Sequence, residues 1–140
     1  LFHGFFEYDI ENDKITRKLN LPIPKINNRL SLGDHLLNSG HHGISLSGDD
    51  KTICVAGTMD GYIAIVDRET FEYNIIKLSD DPKEAKPYWA TSSKDGKKAY
   101  VSISGLDKVS ILDYVTGKVI AEVPVGNHPQ RVRNGQLRLR

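Results

Sequence analysis

The sequence predicts an all-β fold, namely a segment of a β-propeller with about three four-stranded antiparallel blades. The first observation is a unit at residues 97–117, which reads as a short apolar strand, a Gly/Asp turn, a second strand and a Thr-Gly turn. The second is that the same layout stands 46 residues earlier without a gap. Four short strands per 42 to 46 residues, separated by turn signals, are typical of a propeller blade.

The repeat divides the chain into the end of one blade, an inserted loop, two full blades and the start of another. These parts are residues 1–21, 22–40, 41–78, 87–125 and 127–140. We expect a short helix at residues 30–37 of the insertion and a solvated, charged loop at residues 79–86. Because loops on a rigid scaffold often carry function, the insertion is a candidate region, and a surface insertion without such a role is the alternative.

Identical residues recur in the two full copies. The pairs are Ser47 and Ser93, Asp49 and Asp95, Lys51 and Lys97, Val55 and Val101, Ile65 and Ile111, Asp67 and Asp113, and Thr70 and Thr116. One turn differs, since Phe71 stands where the second copy has Gly117. Phenylalanine adopts a positive φ only at a cost, so the sequence predicts a different turn shape in the first copy.

The chain is too short to close a ring by itself, because propellers close with roughly 4 to 8 blades. We therefore expect it to belong to a larger, seven-bladed propeller whose remaining blades are its partners. The first residue is not Met, and the opening residues lack the basic and apolar regions of a signal peptide. Either processing has removed an N-terminus, or the sequence is a piece of a longer protein.

Composition excludes several classes of protein. The net charge of +1 argues against a general nucleic-acid-binding protein. No apolar run approaches the roughly 20 residues that span a bilayer. The single cysteine, Cys54, excludes an internal disulfide and a cysteine zinc site, and its apolar strand indicates a buried structural thiol. The sequence also lacks the motifs of hydrolases, P-loops and zinc proteases.

The second copy carries a run of residues that specifies a particular kind of blade. The run consists of Ser93, Asp95, Gly96, Tyr100, Val101, Val109, Ile111, Asp113, Thr116, Gly117, Lys118, Val119, Pro124 and Gly126. It resembles the YVTN-type β-propeller repeat family. That resemblance implies a propeller similar to surface-layer, nitrous oxide reductase-like or quinoprotein-like proteins. It also implies a location in the periplasm, at the cell surface or outside the cell.

The first strand of every propeller blade lines the central channel, so the residues that open these strands meet at one mouth. A channel mouth is a common place for ligands to bind. In this sequence the candidates for ligand binding are His41, His42, Tyr88, Trp89, His128 and Arg131. We expect the ligand to be a protein or a small molecule.

The adjacent histidines His41 and His42 are candidates for a metal site. Imidazole suits copper, zinc and iron, and the resemblance to nitrous oxide reductase implies copper held by histidines at the channel mouth. Adjacent residues on an extended segment point to opposite sides, so only one of the two is expected to face the channel. The alternative is that both end a strand and hydrogen-bond neighbouring loops, with no cofactor.

Tyr88 and Trp89 either stack on a ligand or pack between blades. A basic end of the chain follows, with Arg131, Arg133, Arg138 and Arg140. Together with the aromatic residues, these arginines are suited to an anionic ligand or to single-stranded nucleic acid, and a solvated strand face is the alternative.

Two functions follow from these observations. The first is a non-enzymatic propeller module that binds a partner or acts as a scaffold through its channel face. The second is the propeller domain of an envelope oxidoreductase with copper, haem or quinone chemistry. The second hypothesis requires a cofactor domain or further channel histidines in sequence beyond these residues.

Overall fold

The computed structural model describes residues 2–25 and 40–135, and almost all of its regular structure is β. The strands are β1 (Gly4–Asp9), β2 (Lys14–Asn20), β3 (Gly43–Leu46), β4 (Thr52–Gly57), β5 (Tyr62–Asp67), β6 (Tyr73–Lys77), β7 (Pro87–Ser92), β8 (Lys98–Ile103), β9 (Lys108–Asp113) and β10 (Lys118–Pro124). A short helix, α1 (Pro82–Ala85), and a 3-10 turn, Ser104–Leu106, complete these ranges. The helix predicted at residues 30–37 lies outside the described residues. No described helix has the length and apolar character needed to cross a membrane.

The strands form three antiparallel sheets, which confirms the prediction of four-stranded antiparallel blades. The first blade has the order β3-β4-β5-β6, and the second blade has the order β7-β8-β9-β10. The N-terminal hairpin, β1-β2, is a separate two-stranded sheet. The innermost strands β3 and β7 of the two blades lie side by side, as expected for strands that line a channel.

The first blade is the middle layer of the described structure. Side chains alternate between the two faces of a strand, so β4 and β5 each contribute to two apolar clusters. One face of the first blade packs against the side of the N-terminal hairpin, and this cluster contains Ile53, Val55, Ala64 and Val66 together with Leu19 and Leu21. The other face packs against the second blade, and this cluster contains Cys54, Ala56, Ile63 and Ile65 together with Ala99, Val101 and Leu112. Propeller blades stack in this way because one sheet alone leaves both apolar faces exposed.

Cys54 is fully buried, as predicted. Burial raises the pKa of its thiol to about 12. Because the thiolate is the nucleophilic form of cysteine, this residue is an inert part of the core at neutral pH.

The repeated aspartates cap the turns between strands. The Asp67 carboxylate accepts the backbone N–H of Thr70 at 2.8 Å, and Asp113 accepts that of Thr116 at the same distance. These hydrogen bonds lower the pKa of both carboxyls. Equivalent caps, with pKa values lowered by hydrogen bonds, are formed by Asp9, Asp49 and Asp95. The identical residues of the repeat therefore specify turn geometry.

The prediction of a different turn shape at Phe71 is wrong. Its φ is 61°, against 63° for Gly117 and 52° for Asp13 at the corresponding position of the N-terminal hairpin. A left-handed conformation costs a residue with a side chain about 1–2 kcal/mol. The Phe71 ring offsets this cost through an edge contact with Phe5, with centroids 5.4 Å apart, and through the Arg17 guanidinium 3.9 Å above it.

Arg17 fastens the N-terminal hairpin to the first blade. Its guanidinium donates to both carboxylate oxygens of Glu7, the shorter contact being 2.7 Å. It also donates to the backbone carbonyl oxygens of Arg68 at 2.8 Å and Glu69 at 2.7 Å. One side chain therefore joins a strand pair to a turn of the neighbouring sheet.

We expect this link to be sensitive to acid. Hydrogen bonds from Arg17, and then Thr16, lower the pKa of Glu7 from 4.5 to about 2. A lowered carboxyl pKa contributes stability that is present above pH 4.5 and is lost as the pH falls towards 2. Glu7→Gln should therefore lower the urea midpoint at pH 7, and the difference from wild type should shrink towards pH 2.

The matched control for this prediction is Asp80→Asn, which removes the carboxylate of an exposed ion pair with Lys77. Exposed pairs contribute little, so its midpoint should stay close to that of wild type. If the urea midpoint of Glu7→Gln differs from that of wild type by the same amount at pH 7 and near pH 2, the ionised Glu7 carboxylate does not stabilise this link.

The prediction of a solvated loop at residues 79–86 is wrong in its centre, where α1 forms. Asp81 caps this helix by accepting the Lys83 N–H at 2.9 Å, and proline occupies its first turn, which is a standard start signal. Ala85 is fully buried. A Cβ at Gly105 would lie 1.7 Å from the Glu84 carbonyl oxygen, so α1 packs directly on the hairpin that contains this glycine.

Candidate functional site

The residues that open the first strands lie beside the turns that join the second and third strands. We call this surface the mouth face and define it by residues 40–42, 58–61, 86–89, 104–107 and 128–131. In the first blade the Met59 N–H donates to the Gly40 carbonyl oxygen at 3.3 Å. In the second blade the Ser104 N–H donates to the Lys86 carbonyl oxygen at 3.1 Å. Each blade therefore joins a residue before its first strand to the following hairpin, and the donor is shifted by one position between the two blades.

His42 and Tyr88 form a stacked pair across the junction between the two blades. Their ring centroids are 4.1 Å apart, and the ring planes are inclined by 20°. The Nδ1 atom of His42 lies 2.9 Å from the Thr58 hydroxyl, which orients the imidazole. Burial, and then the neighbouring His41, lower the pKa of His42 below 6.5, so its ring is neutral at pH 7. The pair is a half-buried, uncharged aromatic surface at the inner edge.

His41 points to the other side of the strand and enters a buried polar cluster with Asp60, His3 and Tyr62. One carboxylate oxygen of Asp60 lies 2.6 Å from His3 Nδ1 and 3.3 Å from His41 Nε2. The Tyr62 hydroxyl lies 3.2 Å from His41 Nε2 and donates to the Pro22 carbonyl oxygen at 3.0 Å. Burial, and then the Asp60 carboxylate, raise the pKa of Tyr62, so the phenol stays protonated.

This cluster joins the N-terminal hairpin to the first blade. His3 and Asp60 are only 3% and 2% exposed, and they are 57 residues apart in the chain. His3, Asp60 and Tyr62 were not among the candidates predicted from the sequence. No local pattern pairs residues at that separation, although an aspartate followed by glycine marks the hairpin that positions the carboxylate.

The structure does not bring His41 and His42 together. Their rings contact different partners on opposite sides of the chain, as expected for neighbours on an extended segment. Within residues 2–25 and 40–135, no group of three or more His, Cys, Asp or Glu side chains is arranged to hold a metal ion. The metal role of these histidines stays a prediction from the resemblance.

Trp89 lies on the opposite side of β7 from Tyr88 and contacts the segment that follows the second blade. The Arg131 guanidinium carbon is 4.7 Å from the centroid of its ring, and that of Arg133 is 5.9 Å away. Both distances are within the range of a cation–π interaction. The two arginines are exposed, whereas Trp89 is half-buried.

His128 joins the mouth face through its backbone. Its N–H donates to the Asp107 carboxylate at 2.8 Å, and its φ is 53°. Lys86 occupies the corresponding position before the second blade with a φ of 47°. The exposed imidazole of His128 therefore lies at the rim of the mouth face.

No protein family model matches the chain, and no curated protein matches it. The resemblance to YVTN-type repeats therefore rests on the motifs alone. Similar solved structures exist. Virginiamycin B lyase from Staphylococcus aureus matches over 95% of this chain and 39% of its own, at 15% identity and a TM-score of 0.70. Hydrazine synthase from Kuenenia stuttgartiensis matches over 90% of this chain and 31% of its own, at 17% identity and a TM-score of 0.68.

The chain is built of β-propeller blades. Both matched proteins are propellers, and so is AztD from Citrobacter koseri, which matches over 64% of this chain and 25% of its own at 22% identity and a TM-score of 0.50. The chain spans roughly a third of the length of the first two. At these identities the likeness shows the fold alone, and function has to be argued from the mouth face.

Proposed function

We propose that this chain is a non-enzymatic binding module of a propeller and that its ligand, a small molecule or a protein segment, binds at the mouth face. The observation that carries the proposal is the stack of His42 on Tyr88, which presents an uncharged, half-buried aromatic surface at the junction of two blades. Ligand sites are typically apolar and aromatic, with a few fixed polar groups. Here the polar groups are the His42 imidazole, which Thr58 orients, on one side and Arg131 beside Trp89 on the other.

The burial of the acid–base groups favours binding over catalysis at this face. Asp60 and the imidazole of His3 have the geometry of an acid–base pair, but both are almost fully buried beneath the surface. A general base must reach the proton that it abstracts. This cluster is therefore better suited to holding the N-terminal hairpin in place than to acting on a substrate.

The alternative is a propeller domain of an envelope oxidoreductase with copper, haem or quinone chemistry. It is supported only by the family resemblance, because the likeness to hydrazine synthase at 17% identity shows the fold alone. Metal analysis and a visible absorption spectrum of the full-length protein separate the two functions. We also propose a location in the periplasm, at the cell surface or outside the cell, and cell fractionation tests it.

The binding proposal predicts a ligand-dependent rise in melting temperature. We propose a thermal-shift panel of small aromatic compounds in matched pairs that differ in charge, such as benzoate with benzamide and phenyl phosphate with phenol. A ligand at 100 times its Kd stabilises the folded protein by about 2.7 kcal/mol, which is a shift of several degrees. At least one pair member should produce such a shift.

The shift should disappear in Tyr88→Ala, because that variant removes half of the aromatic stack. Tyr73→Ala is the matched control, since Tyr73 is a partly exposed tyrosine on the outermost strand of the first blade. A panel without any shift, or a shift that survives Tyr88→Ala, would overturn the proposed function.

A further inference from the structure

We infer that Arg131 and Arg133, held on the ring of Trp89, form a clamp for an oxyanion, meaning a carboxylate or a phosphate group. The inference rests on the proposed function, because it names the ligand chemistry of the mouth face. It is carried by geometry, by the anchoring of the backbone and by the distribution of charge.

The geometry places two cations on one ring. Arg131 and Arg133 are two residues apart on an irregular, exposed segment, and both guanidinium groups lie within 6 Å of the Trp89 ring centroid. A guanidinium that rests on an aromatic face keeps its N–H donors available at its edge. Those donors form a rigid fork that matches the two oxygens of a carboxylate or phosphate. Stacking on Trp89 therefore leaves each arginine prepared to bind an oxyanion.

The backbone that carries Arg131 is anchored. The Ser102 hydroxyl donates to the carbonyl oxygen of Gln130, and the Ser104 hydroxyl donates to that of Pro129. Both serines lie in the core of the second blade and are at most 1% exposed. Ser102 also accepts the backbone N–H of Trp89 at 3.1 Å, so one buried hydroxyl holds the backbones of both Trp89 and the segment that carries Arg131. Such preorganisation reduces the entropy that is lost on binding.

The positive charges of Arg131 and Arg133 are not balanced by an ion pair among the described residues. The ion pairs between described residues involve other cations, such as Arg17 with Glu7 and Lys108 with Glu122, and none involves Arg131 or Arg133. Two guanidinium groups gathered on one ring repel each other, and a bound anion removes that repulsion. An oxyanion is therefore the ligand group that complements this clamp.

The test uses the emission of Trp89, which is the only tryptophan of the 140-residue sequence. The protein is titrated with benzoate, benzamide and inorganic phosphate at an ionic strength held constant with sodium chloride. We expect the Trp89 emission to change saturably with benzoate and with phosphate, but not with benzamide. A response to benzoate alone supports the inference and identifies a carboxylate as the source, and a response to phosphate alone supports it and identifies a phosphate.

Three variants distinguish binding by the two arginines from a general effect of the positive charge of the protein. Arg131→Ala should weaken benzoate or phosphate binding about 10-fold or more, which is the size of one hydrogen bond to a charged group. Arg131→Lys keeps the charge but loses the fork, so it should also weaken binding. Lys118→Ala removes one positive charge from the exposed strand β10 and should leave binding unchanged. Because Arg131 is exposed, its variants should fold, and circular dichroism checks this.

Equal binding of benzamide and benzoate would overturn the clamp while leaving the proposed binding function intact. Equal effects of Arg131→Ala and Lys118→Ala would overturn it as well. Saturable binding of a thymidine oligonucleotide, with no response to benzoate or phosphate, would overturn it in favour of nucleic-acid binding. If none of the matched pairs shifts the melting temperature, the proposed function itself fails.

Discussion

Replacing Asp60 with alanine is expected to lower the free energy of unfolding by about 2–5 kcal/mol, because two imidazoles lose their acceptor and each unsatisfied buried polar group costs about 1–3 kcal/mol. The carboxylate lies within 2.6 Å of His3 Nδ1 and within 3.3 Å of His41 Nε2. Alanine leaves both buried imidazoles without this acceptor. The effect should concentrate at the N-terminal hairpin, since His3 belongs to that side of the contact and its carbonyl oxygen accepts the Leu21 N–H at 2.7 Å.

Two measurements check this expectation. Urea unfolding gives the loss of stability, and hydrogen exchange shows where it occurs, with the amides of β2 expected to lose protection before those of β5. Asp80→Ala is the matched control, because it removes a fully exposed carboxylate paired with Lys77 and should change the stability little. Equal losses in the two variants would show that the buried cluster does not hold the hairpin.

The fold was predictable because its determinants are local and repeated. Asp67 and Asp113 each cap a turn that lies within three residues of them, so a repeat of short sequence patterns carries the geometry with it. Short apolar runs bounded by turn residues then mark the strands, and in β4 and β5 both faces are buried. Neither signal depends on contacts between distant parts of the chain.

The parts that could not be predicted depend on tertiary contacts. A positive φ at Phe71 contradicts the preference of its residue type, and it is sustained by Phe5 and Arg17 of another sheet. The buried cluster likewise joins His3 to Asp60 across 57 residues. By contrast, the proximity of His42 and Tyr88 was predictable, because both open first strands and first strands of adjacent blades are neighbours.

Gly96 is the site of the second large effect. Its φ is 66°, and a Cβ there would lie 2.2 Å from the Cα of Gly48, at the end of the blades away from the mouth face. The Gly48 N–H donates to the Gly96 carbonyl oxygen at 2.9 Å, so the backbones of the two blades touch directly. Gly96→Ala therefore combines a left-handed alanine, about 1–2 kcal/mol, with a steric clash of about 1–3 kcal/mol.

Gly117→Ala separates these two contributions. Its φ of 63° is almost the same, but a Cβ there would meet only the Ile65 side chain, at 3.7 Å. That variant should cost about 1–2 kcal/mol, the conformational part alone. The difference between the two variants in urea unfolding therefore measures the close approach of the blades at Gly48.

If the two losses are equal, the backbones have room for a methyl group, and the contact between the blades is looser than the structure shows. If Gly96→Ala costs more, as we expect, the glycine of the Asp-Gly turn is required by the neighbouring blade, since Asp50 adopts a φ of 60° at the corresponding position of the first blade without being glycine.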